Sequence, residues 1–371
     1  MQKNRSIIVL FNVPEQHSLK ERGEKLLSGL KNDGFSIEFL SREESRIKSL
    51  YRNIKGIIRI KPSVVYLIDF GYVTVIPALI CLPFFSFRIV FDTGDIVYEL
   101  FKSTGRSVIS YLIARIIEPL VWRISSVVIV RGTYFEEYLR DKGYRNILLI
   151  PDGVDLELFR PFDTTDLRKR LRIEDKLTVG VVGSLNWIEK YNFCYGWELI
   201  SALKFLKDLP VAGIIIGDGS GLKKLKGLAK EYDVEEKVLF LGRIPYEQLS
   251  KYINLMDICI STQSNDIVGN VRTTGKLPLY IACNKFILAT KVGTAKYLLP
   301  EDMLIDYEGI KDETYPERLA EKIKRFVMNK DQIIKSINLR EIAAKEFNYN
   351  LLAGRVKNII EKLCDEAGET S

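Results

Sequence analysis

Residues 214–261 read IIIGDGSGLKKLKGLAKEYDVEEKVLFLGRIPYEQLSKYINLMDICIS. A buried strand that ends at Ile216 leads into three glycines within five residues, Gly217 to Gly221, and then into an amphipathic helix, Leu222 to Tyr232. Glycines at such a turn let the backbone approach a ligand closely, and the helix N-terminus favours anions. The pattern indicates either a phosphate-binding turn or an ordinary tight turn between strand and helix.

The same alternation of apolar strands and helical patterns extends in both directions from this stretch. The predicted strands are residues 6–12, 36–40, 63–68, 87–91, 126–130 and 146–150 in the first half, and 177–182, 212–216, 237–241, 258–261, 286–289 and 302–305 in the second. Apolar strands that alternate with helices are typical of parallel sheets covered on both faces. The sequence therefore predicts two doubly wound α/β domains, which bind ligands beyond the carboxyl ends of their strands.

A charged stretch without hydrophobic periodicity, residues 163–176, separates the two halves. We therefore expect an N-terminal Rossmann-like domain over 1–160, a linker over 161–176 and a C-terminal domain over 177–345. The remaining residues, 346–371, are expected to form a helix that packs back toward the N-terminal domain, followed by a short tail.

Composition limits the classes of partner and compartment. The net charge of +7 over 371 residues is too small an excess to indicate nucleic-acid binding, but it suits nucleotide phosphates or an acidic membrane surface. Five scattered cysteines lack metal or disulfide spacing, which favours buried free thiols and a cytoplasmic setting. The apolar segment 64–89 is interrupted by Asp69, Gly71, Pro77 and Pro83, so we do not expect it to span a membrane.

Three segments together resemble the family 4 retaining glycosyltransferases, which have the GT-B fold. In residues 214–261 the glycine turn, a helix, a strand ending in Leu-Gly-Arg and a further helix follow in the family's order. The sequence IPDGVD at 150–155, with FRP at 159–161, is similar to the family's interdomain segment. The sequence RTTGKLPLYIACNK at 272–285 is similar to its donor-site helix.

The resemblance implies two Rossmann-like domains that face each other across a cleft, a nucleoside-diphosphate sugar as co-substrate, and no metal. It implies catalytic roles for Asp95, Lys190 and Lys276. It also implies a donor site made of Ser184, Gly217, Gly242, Arg243, Val271, Arg272, Thr273, Thr274 and Leu279. Fixed cations, together with the amides of residues 271–274 at an expected helix start, would stabilise the charge that develops on the departing diphosphate.

Several of these positions depart from the family's pattern. Ser184 stands where the family has an arginine, and Val271 and Leu279 stand where it has two glutamates. Leu279 cannot accept hydrogen bonds from a ribose. Asp266, which lies close by in the sequence, is the candidate donor-site residue that would contact the sugar in place of these glutamates.

The first domain offers fewer matches, and its candidate acceptor-side residues each have two readings. His17, the single histidine, lies in a loop after the first strand and is either a surface residue or part of the site. Asp95 either orients an acceptor hydroxyl or caps the helix that follows it. Asp69, at the end of another predicted strand, is expected at the same edge of the sheet.

Residues 96–122 combine helical apolar spacing with Lys102, Arg106 and Arg115. Core packing is the ordinary role of such a stretch. A basic, apolar face would alternatively let the N-terminal domain rest on the inner face of a membrane and reach a lipid-linked acceptor.

These observations predict a glycosyltransferase that moves a sugar, with retention, onto a glycan or lipid-linked acceptor in cell-surface polysaccharide synthesis. A catalytically silent GT-B binding or scaffold protein is the alternative favoured by Ser184, Val271 and Leu279. A dinucleotide oxidoreductase is disfavoured, because Gly242 and Arg243 stand where an acidic residue would bind the ribose.

Overall fold

The computed structural model describes residues 5–369, so the last two residues of the predicted tail lie outside it. The chain forms two compact units. One consists of residues up to Gly153 together with those from Phe347 onward, and the other is Val154–Glu346. This division falls seven residues before the boundary expected at 160, and the last segment belongs to the first unit.

The first unit is built around a six-stranded parallel sheet. Its strands occur in the order β2-β1-β3-β4-β5-β6. Their bounds are β1 Ser6–Phe11, β2 Ser36–Leu40, β3 Val64–Ile68, β4 Arg88–Thr93, β5 Val127–Val130 and β6 Ile147–Leu149. The helices of this part of the chain are α1 Ser18–Leu27, α2 Arg46–Ile60, α3 Tyr72–Cys81, α4 Val97–Ser103, α5 Val108–Ile124 and α6 Thr133–Asp141.

The second unit contains another six-stranded parallel sheet, ordered β12-β11-β10-β7-β8-β9. Its strands are β7 Leu177–Val182, β8 Val211–Ile216, β9 Val238–Gly242, β10 Ile258–Ser261, β11 Phe286–Thr290 and β12 Leu304–Ile305. The remaining helices are α7 Thr165–Arg170, α8 Trp197–Leu203, α9 Leu222–Glu231, α10 Tyr246–Asn254, α11 Ile267–Val271, α12 Lys276–Ala282, α13 Gly293–Leu298, α14 Tyr315–Ser336, α15 Arg340–Ile342 and α16 Tyr349–Glu369. All twelve predicted strands are present, and the doubly wound α/β architecture is confirmed.

The last helix, α16, completes the core of the first unit. Leu352, Val356 and Ile360, spaced four residues apart, are all buried against the β1–β3–β4 face of the sheet. This face also holds the buried side chains Val9, Tyr66 and Val90. Burying three aliphatic side chains from one helix contributes about 1.5–3 kcal/mol for each.

The predicted helical stretch 96–122 is two helices, because the chain turns at Gly105, whose φ is +70°. Core packing accounts for only one side of α5. Ala114, Val121 and Trp122 are buried. The opposite side exposes Val108, Ile109, Leu112, Ile113, Ile116 and Leu120.

The expectation of buried free thiols is confirmed for Cys81, Cys194, Cys259, Cys283 and Cys364. The apolar segment 64–89 is divided between β3, α3 and the start of β4. Across the described part of the chain, no helix combines the length and the hydropathy that crossing a bilayer requires.

Candidate functional site

The glycine turn of the second unit packs directly against the loop that follows β7. A Cβ on Gly217, whose φ is +142°, would lie 1.8 Å from the carbonyl oxygen of Gly183. The Leu185 amide donates to the Asp218 carbonyl at 3.0 Å, and the Gly221 amide donates to the Leu185 carbonyl at 2.8 Å. Glycine is therefore required here for the approach of two loops, whether or not a phosphate binds.

A cavity of about 470 Å³ opens beside this loop pair, at the carboxyl ends of β7, β8 and β9. Ser184, Gly217 and Arg243, three of the predicted donor-site residues, line it. Gly242 lies next to it and accepts a hydrogen bond from the Gly217 amide at 2.8 Å. Arg243 is exposed, so its guanidinium is accessible to a ligand in this cavity. Sheets of this type bind ligands at the carboxyl ends of their strands, which is where the cavity lies.

The segment that joins α11 to α12 is held by side-chain hydrogen bonds. Asp266 caps α11: one of its carboxylate oxygens accepts from the Gly269 amide and the Ser264 hydroxyl, both at 2.8 Å. Buried Gln263 donates to the carbonyls of Gly269 and Arg272, at 3.0 and 2.6 Å. These bonds fix the backbone on both sides of Arg272.

The expected helix start at residues 271–274 is wrong. Val271 is the last residue of α11, and α12 begins only at Lys276. The Arg272 amide is already used, because it donates to the Val268 carbonyl at 3.0 Å as the C-terminal cap of α11. Thr273 and Thr274 lie in the connection between the two helices.

Lys276, at the first position of α12, is partly buried beside an acidic residue that the sequence did not single out. Its ammonium lies 5.7 Å from the centroid of the Tyr195 ring. Burial lowers the pKa of Lys276, and the charge of Glu198 opposes that fall. Glu198 is fully buried, and burial raises its pKa.

The other predicted donor-site residues have different surroundings. Lys190 lies exposed in the short 3-10 turn Glu189–Tyr191, with its ammonium 5.1 Å from the Tyr191 ring centroid. Val271 and Leu279 are 1% and 8% exposed and belong to the core of the unit. The two aliphatic replacements are thus packing residues that offer a ligand no polar group.

The first unit carries a buried cluster of charges at the carboxyl edge of its sheet. Asp92, in β4, is fully buried. It accepts hydrogen bonds from the guanidinium groups of Arg22 and Arg131, at 3.1 Å each, and from the hydroxyl of Tyr66 at 3.2 Å. Two cations on one carboxylate compensate the cost of removing it from water.

Both arginines extend the cluster to neighbouring strand ends. Arg22 also donates to the carbonyls of Ile150 and Pro151 and to the Asp152 carboxylate, at 2.8, 2.7 and 3.2 Å. Arg131 donates to Asp69 at 2.8 Å. Burial alone would lower the pKa of Arg131, but Asp69, Asp92 and Asp152 raise it above its usual value.

Asp69 is the predicted acceptor-side residue that this cluster includes. It follows β3 with a φ of +56°, a left-handed conformation that is uncommon for a non-glycine residue. Its side chain is 24% exposed. Burial raises the pKa of Asp69; Arg131 opposes the rise, and the charges of Asp95 and Asp92 add to it.

His17 and Asp95 follow the carboxyl ends of β1 and β4, and so belong to the same edge of the sheet. His17 caps α1, since its Nδ1 accepts from the Leu19 amide at 3.2 Å. Burial and the positive charge of Arg131 lower the pKa of His17. The first amides of α4, Val97 and Tyr98, are bound by the buried carboxylate of Glu118 at 3.0 and 3.1 Å.

The sequence reasoning missed Arg22, Asp92, Arg131 and Asp152. One signal was available for Arg22, which lies three residues after Leu19 and four before Leu26 and therefore falls on the apolar face of α1. A charge on such a face indicates a buried partner. Arg131 directly follows β5, as Asp69 directly follows β3, so its place at the carboxyl edge of the sheet could have been predicted in the same way.

The second unit also matches known sequences. Residues 163–346 match the family described as Glycosyl transferases group 1. Over 162 residues the chain is 26% identical to the phosphatidylinositol N-acetylglucosaminyltransferase GPI3 subunit of Saccharomyces cerevisiae (strain YJM789), a match that covers 43% of this chain and 33% of that protein. The D-inositol 3-phosphate glycosyltransferase of Geodermatophilus obscurus is 27% identical over 160 residues, covering 40% and 34%. The matches thus span about a third of the length of these relatives.

Solved structures resemble the chain over nearly its whole length. Sucrose-phosphate synthase from Thermosynechococcus elongatus has a TM-score of 0.76 at 18% identity, covering 97% of this chain and 99% of that one. HepE from Anabaena, in complex with UDP and glucose, has a TM-score of 0.72 at 18% identity, covering 96% and 100%. At such identities the likeness concerns the fold alone. The chain therefore has the GT-B fold, and its residues 163–346 match the family of group 1 glycosyl transferases.

Proposed function

We propose that the protein transfers a sugar from a nucleoside-diphosphate donor, with retention at the anomeric carbon, to a glycan or lipid-linked acceptor in cell-surface polysaccharide assembly. The observation that carries the proposal is the 470 Å³ cavity that Ser184, Gly217 and Arg243 line. It occupies the edge where parallel sheets bind nucleotides. The HepE structure, which has this fold, is a complex with UDP and glucose.

In this proposal the basic segment from Arg272 to Lys276 stabilises the leaving group. Departure of the nucleoside diphosphate leaves negative charge on its phosphate oxygens, and a fixed cation in a partly buried position interacts with that charge more strongly than one in water. Lys276 meets this requirement, because burial acts on its ammonium and Glu198 favours its charged form. The two cations would perform the role that a divalent metal has in other transferases, so we propose that the reaction needs none.

The acceptor would bind at the carboxyl edge of the first sheet. We propose that Asp69 and Asp95 orient the attacking hydroxyl, with His17 close to the site. Because burial and neighbouring carboxylates raise the pKa of Asp69, its carboxylate has a higher proton affinity than an exposed aspartate. Arg131 holds that carboxylate in place at 2.8 Å.

A thermal-shift screen against UDP-, GDP-, ADP- and TDP-sugars, with and without a metal chelator, tests the donor site. A ligand that binds only the folded state raises its apparent stability. We expect one nucleotide class to raise the melting temperature equally under both conditions. A screen without any shift from a folded sample would favour the catalytically silent binding protein instead.

Lys276→Gln tests the role of the cation in turnover. We expect the variant to lose at least about 100-fold in kcat, the range found when a group that stabilises developing charge is removed. Lys230→Gln, an exposed lysine in the last turn of α9, is the matched control and should retain full activity. Equal turnover in both variants would contradict the assignment of Lys276.

We further propose that α5 contacts an anionic lipid surface. Its exposed side carries Val108, Ile109, Leu112, Ile113, Ile116 and Leu120. The charged residues exposed on or beside this helix are Arg106, Arg115 and Arg123, and its single acidic residue, Glu118, is buried. An apolar helix face with basic residues alone is suited to the interface of an anionic bilayer.

Co-sedimentation with vesicles of equal parts phosphatidylglycerol and phosphatidylcholine tests this contact. The double variant Ile109→Asp with Ile116→Asp should lose binding, since both side chains are 71% exposed and their replacement leaves the core unchanged. The control is Ile47→Asp on α2, where the side chain is 80% exposed. Binding that survives the α5 double variant, or that is absent from the unmodified protein, would overturn the contact.

A further inference from the structure

A second cavity in the second unit, of about 600 Å³, is separate from the proposed donor site. It is lined by the loop after β7, by α8 and α9, and by the start of α14. Five aromatic residues surround it: Trp187, Phe193, Trp197, Phe205 and Tyr232. Phe205 is 39% exposed, so part of this aromatic wall faces solvent.

Three lysines around the cavity are each positioned against one of these rings. The Lys224 ammonium lies 3.8 Å from the Trp187 ring centroid. The Lys204 ammonium lies 5.3 Å from the centroid of Tyr232. Such cation–π contacts are worth about 0.5–1 kcal/mol at exposed sites, enough to hold a flexible ammonium group near the cavity.

The third lysine, Lys311, lies 4.9 Å from the Trp197 centroid and is paired with Glu313 at 2.7 Å. Glu231 also lines the cavity, and Glu189 lies 3.9 Å from Lys224. Lys204 and Lys224 are exposed, so their charges are the ones most accessible to a ligand.

We propose that this cavity binds an acidic glycan, a saccharide chain that carries carboxylate groups. Sugar rings present C–H groups that pack against aromatic faces, while the ammonium groups of Lys204 and Lys224 pair with carboxylates. The proposal rests on the proposed function, because a transferase that extends an acidic polymer benefits from a second site that retains the chain. A nucleotide fits less well, since Asn192 and Ser201 are the only neutral hydrogen-bonding side chains, apart from the aromatic ones, that line the cavity within the described residues.

The cavity is linked to the donor site through one loop. Trp187 lines the cavity, and its amide donates to the Ser220 hydroxyl in the glycine turn at 2.9 Å. The same loop includes Ser184, which lines the 470 Å³ cavity. Glycan bound against Trp187 would therefore rest on the segment that shapes the donor site.

Calorimetric titration of the full chain, in the absence of donor, with a hyaluronan hexasaccharide and with neutral maltohexaose tests this site. We expect the acidic hexasaccharide to bind, more weakly at high salt, and maltohexaose to bind less tightly. Lys224→Gln, in α9, and Phe205→Ala, in the turn that follows α8, should each weaken binding about fivefold. Lys230→Gln, on the same helix as Lys224, should bind normally.

The site would be overturned by a lack of binding of the acidic hexasaccharide, or by binding that neither variant weakens. Competition by UDP for hexasaccharide binding would also overturn it and assign the cavity to a nucleotide. Thermal shifts by nucleotide-sugars, measured on the same variants, distinguish the two proposals, because a chain that binds donor but no glycan contradicts only the second site.

Discussion

Asp92 is the residue on which the buried charges of the first unit converge, and its replacement should be severe. Asp92→Asn leaves Arg22 and Arg131 without their shared counter-ion at 3.1 Å. Removing one partner of a buried ion pair costs about 3–5 kcal/mol, so we expect the free energy of unfolding in urea to fall by that amount. Arg59→Ala, which breaks the exposed 2.5 Å pair with Glu38, should cost less than about 1 kcal/mol. Similar losses in both variants would show that the cluster is no stronger than a surface pair.

Glu118 should make the stability of the protein depend on pH. Burial raises its pKa from 4.5 to about 8, although the amides of Val97 and Tyr98 oppose the rise. Between these values the folded state binds a proton that the unfolded state has released, so the free energy of unfolding should fall as pH rises from about 4.5 to about 8.

Glu118→Gln isolates this effect, because glutamine does not titrate. Urea unfolding at a series of pH values should show a shallower decline over this range for the variant than for the unmodified protein. One hydrogen bond to the start of α4 is lost in the exchange, so the variant should be less stable at the acidic end. Parallel pH profiles would mean that Glu118 ionises in the fold as it does in water.

Single residues also show what the sequence could and could not reveal about the site. The position of Asp69 at the carboxyl edge of the sheet could be predicted because it follows a predicted strand, and strand ends meet at that edge of a parallel sheet. Lys190 and Lys276 were both predicted from the resemblance to the retaining glycosyltransferases. Lys190 is exposed in a turn, whereas Lys276 is partly buried next to Glu198. Spacing along the chain does not determine how deeply a side chain lies, so this difference required the three-dimensional structure.

The glycine turn between β8 and α9 is the element whose geometry is most constrained. Gly217→Ala places a Cβ 1.8 Å from the Gly183 carbonyl oxygen at a φ of +142°, so the two loops must separate. We expect a loss of at least ~2 kcal/mol in unfolding free energy and loss of the nucleotide-induced thermal shift.

Gly227→Ala is the matched control for this element. Gly227 is an exposed interior position of α9, and no heavy atom from another part of the described chain lies within 4 Å of the added Cβ. Alanine should stabilise the helix by roughly 0.5–1 kcal/mol. If both substitutions destabilise equally, the close approach of the two loops is not what requires glycine.

Elements differ in how well the sequence predicts them, for physical reasons. The strands were found because burial on both faces makes them continuously apolar. The two sides of α5 could not be distinguished, because both are apolar and only one faces the core. The helix start was misplaced at 271 because Val271 ends one helix only five residues before Lys276 begins the next, and the interval contains no proline to separate them.

At the scale of the whole molecule, two separate cores predict two separable unfolding transitions. Ile360, in α16, and Ile323, in α14, are both fully buried but belong to different units. Each isoleucine-to-alanine change should cost about 2–5 kcal/mol and lower one transition while leaving the other in place. Calorimetry on both variants checks this, and a single transition that shifts in both would show that the units unfold cooperatively.

The return of α16 to the first unit has a consequence during synthesis. The first unit uses residues up to Gly153 and then nothing until Phe347, so its core lacks Leu352 and Ile360 while the whole second unit is translated. At roughly 5–20 residues per second this interval lasts about 10–40 s. During this interval the N-terminal half has all six strands of its sheet but lacks the helix that covers one face of it, so the part of the protein made later is the first that can finish folding.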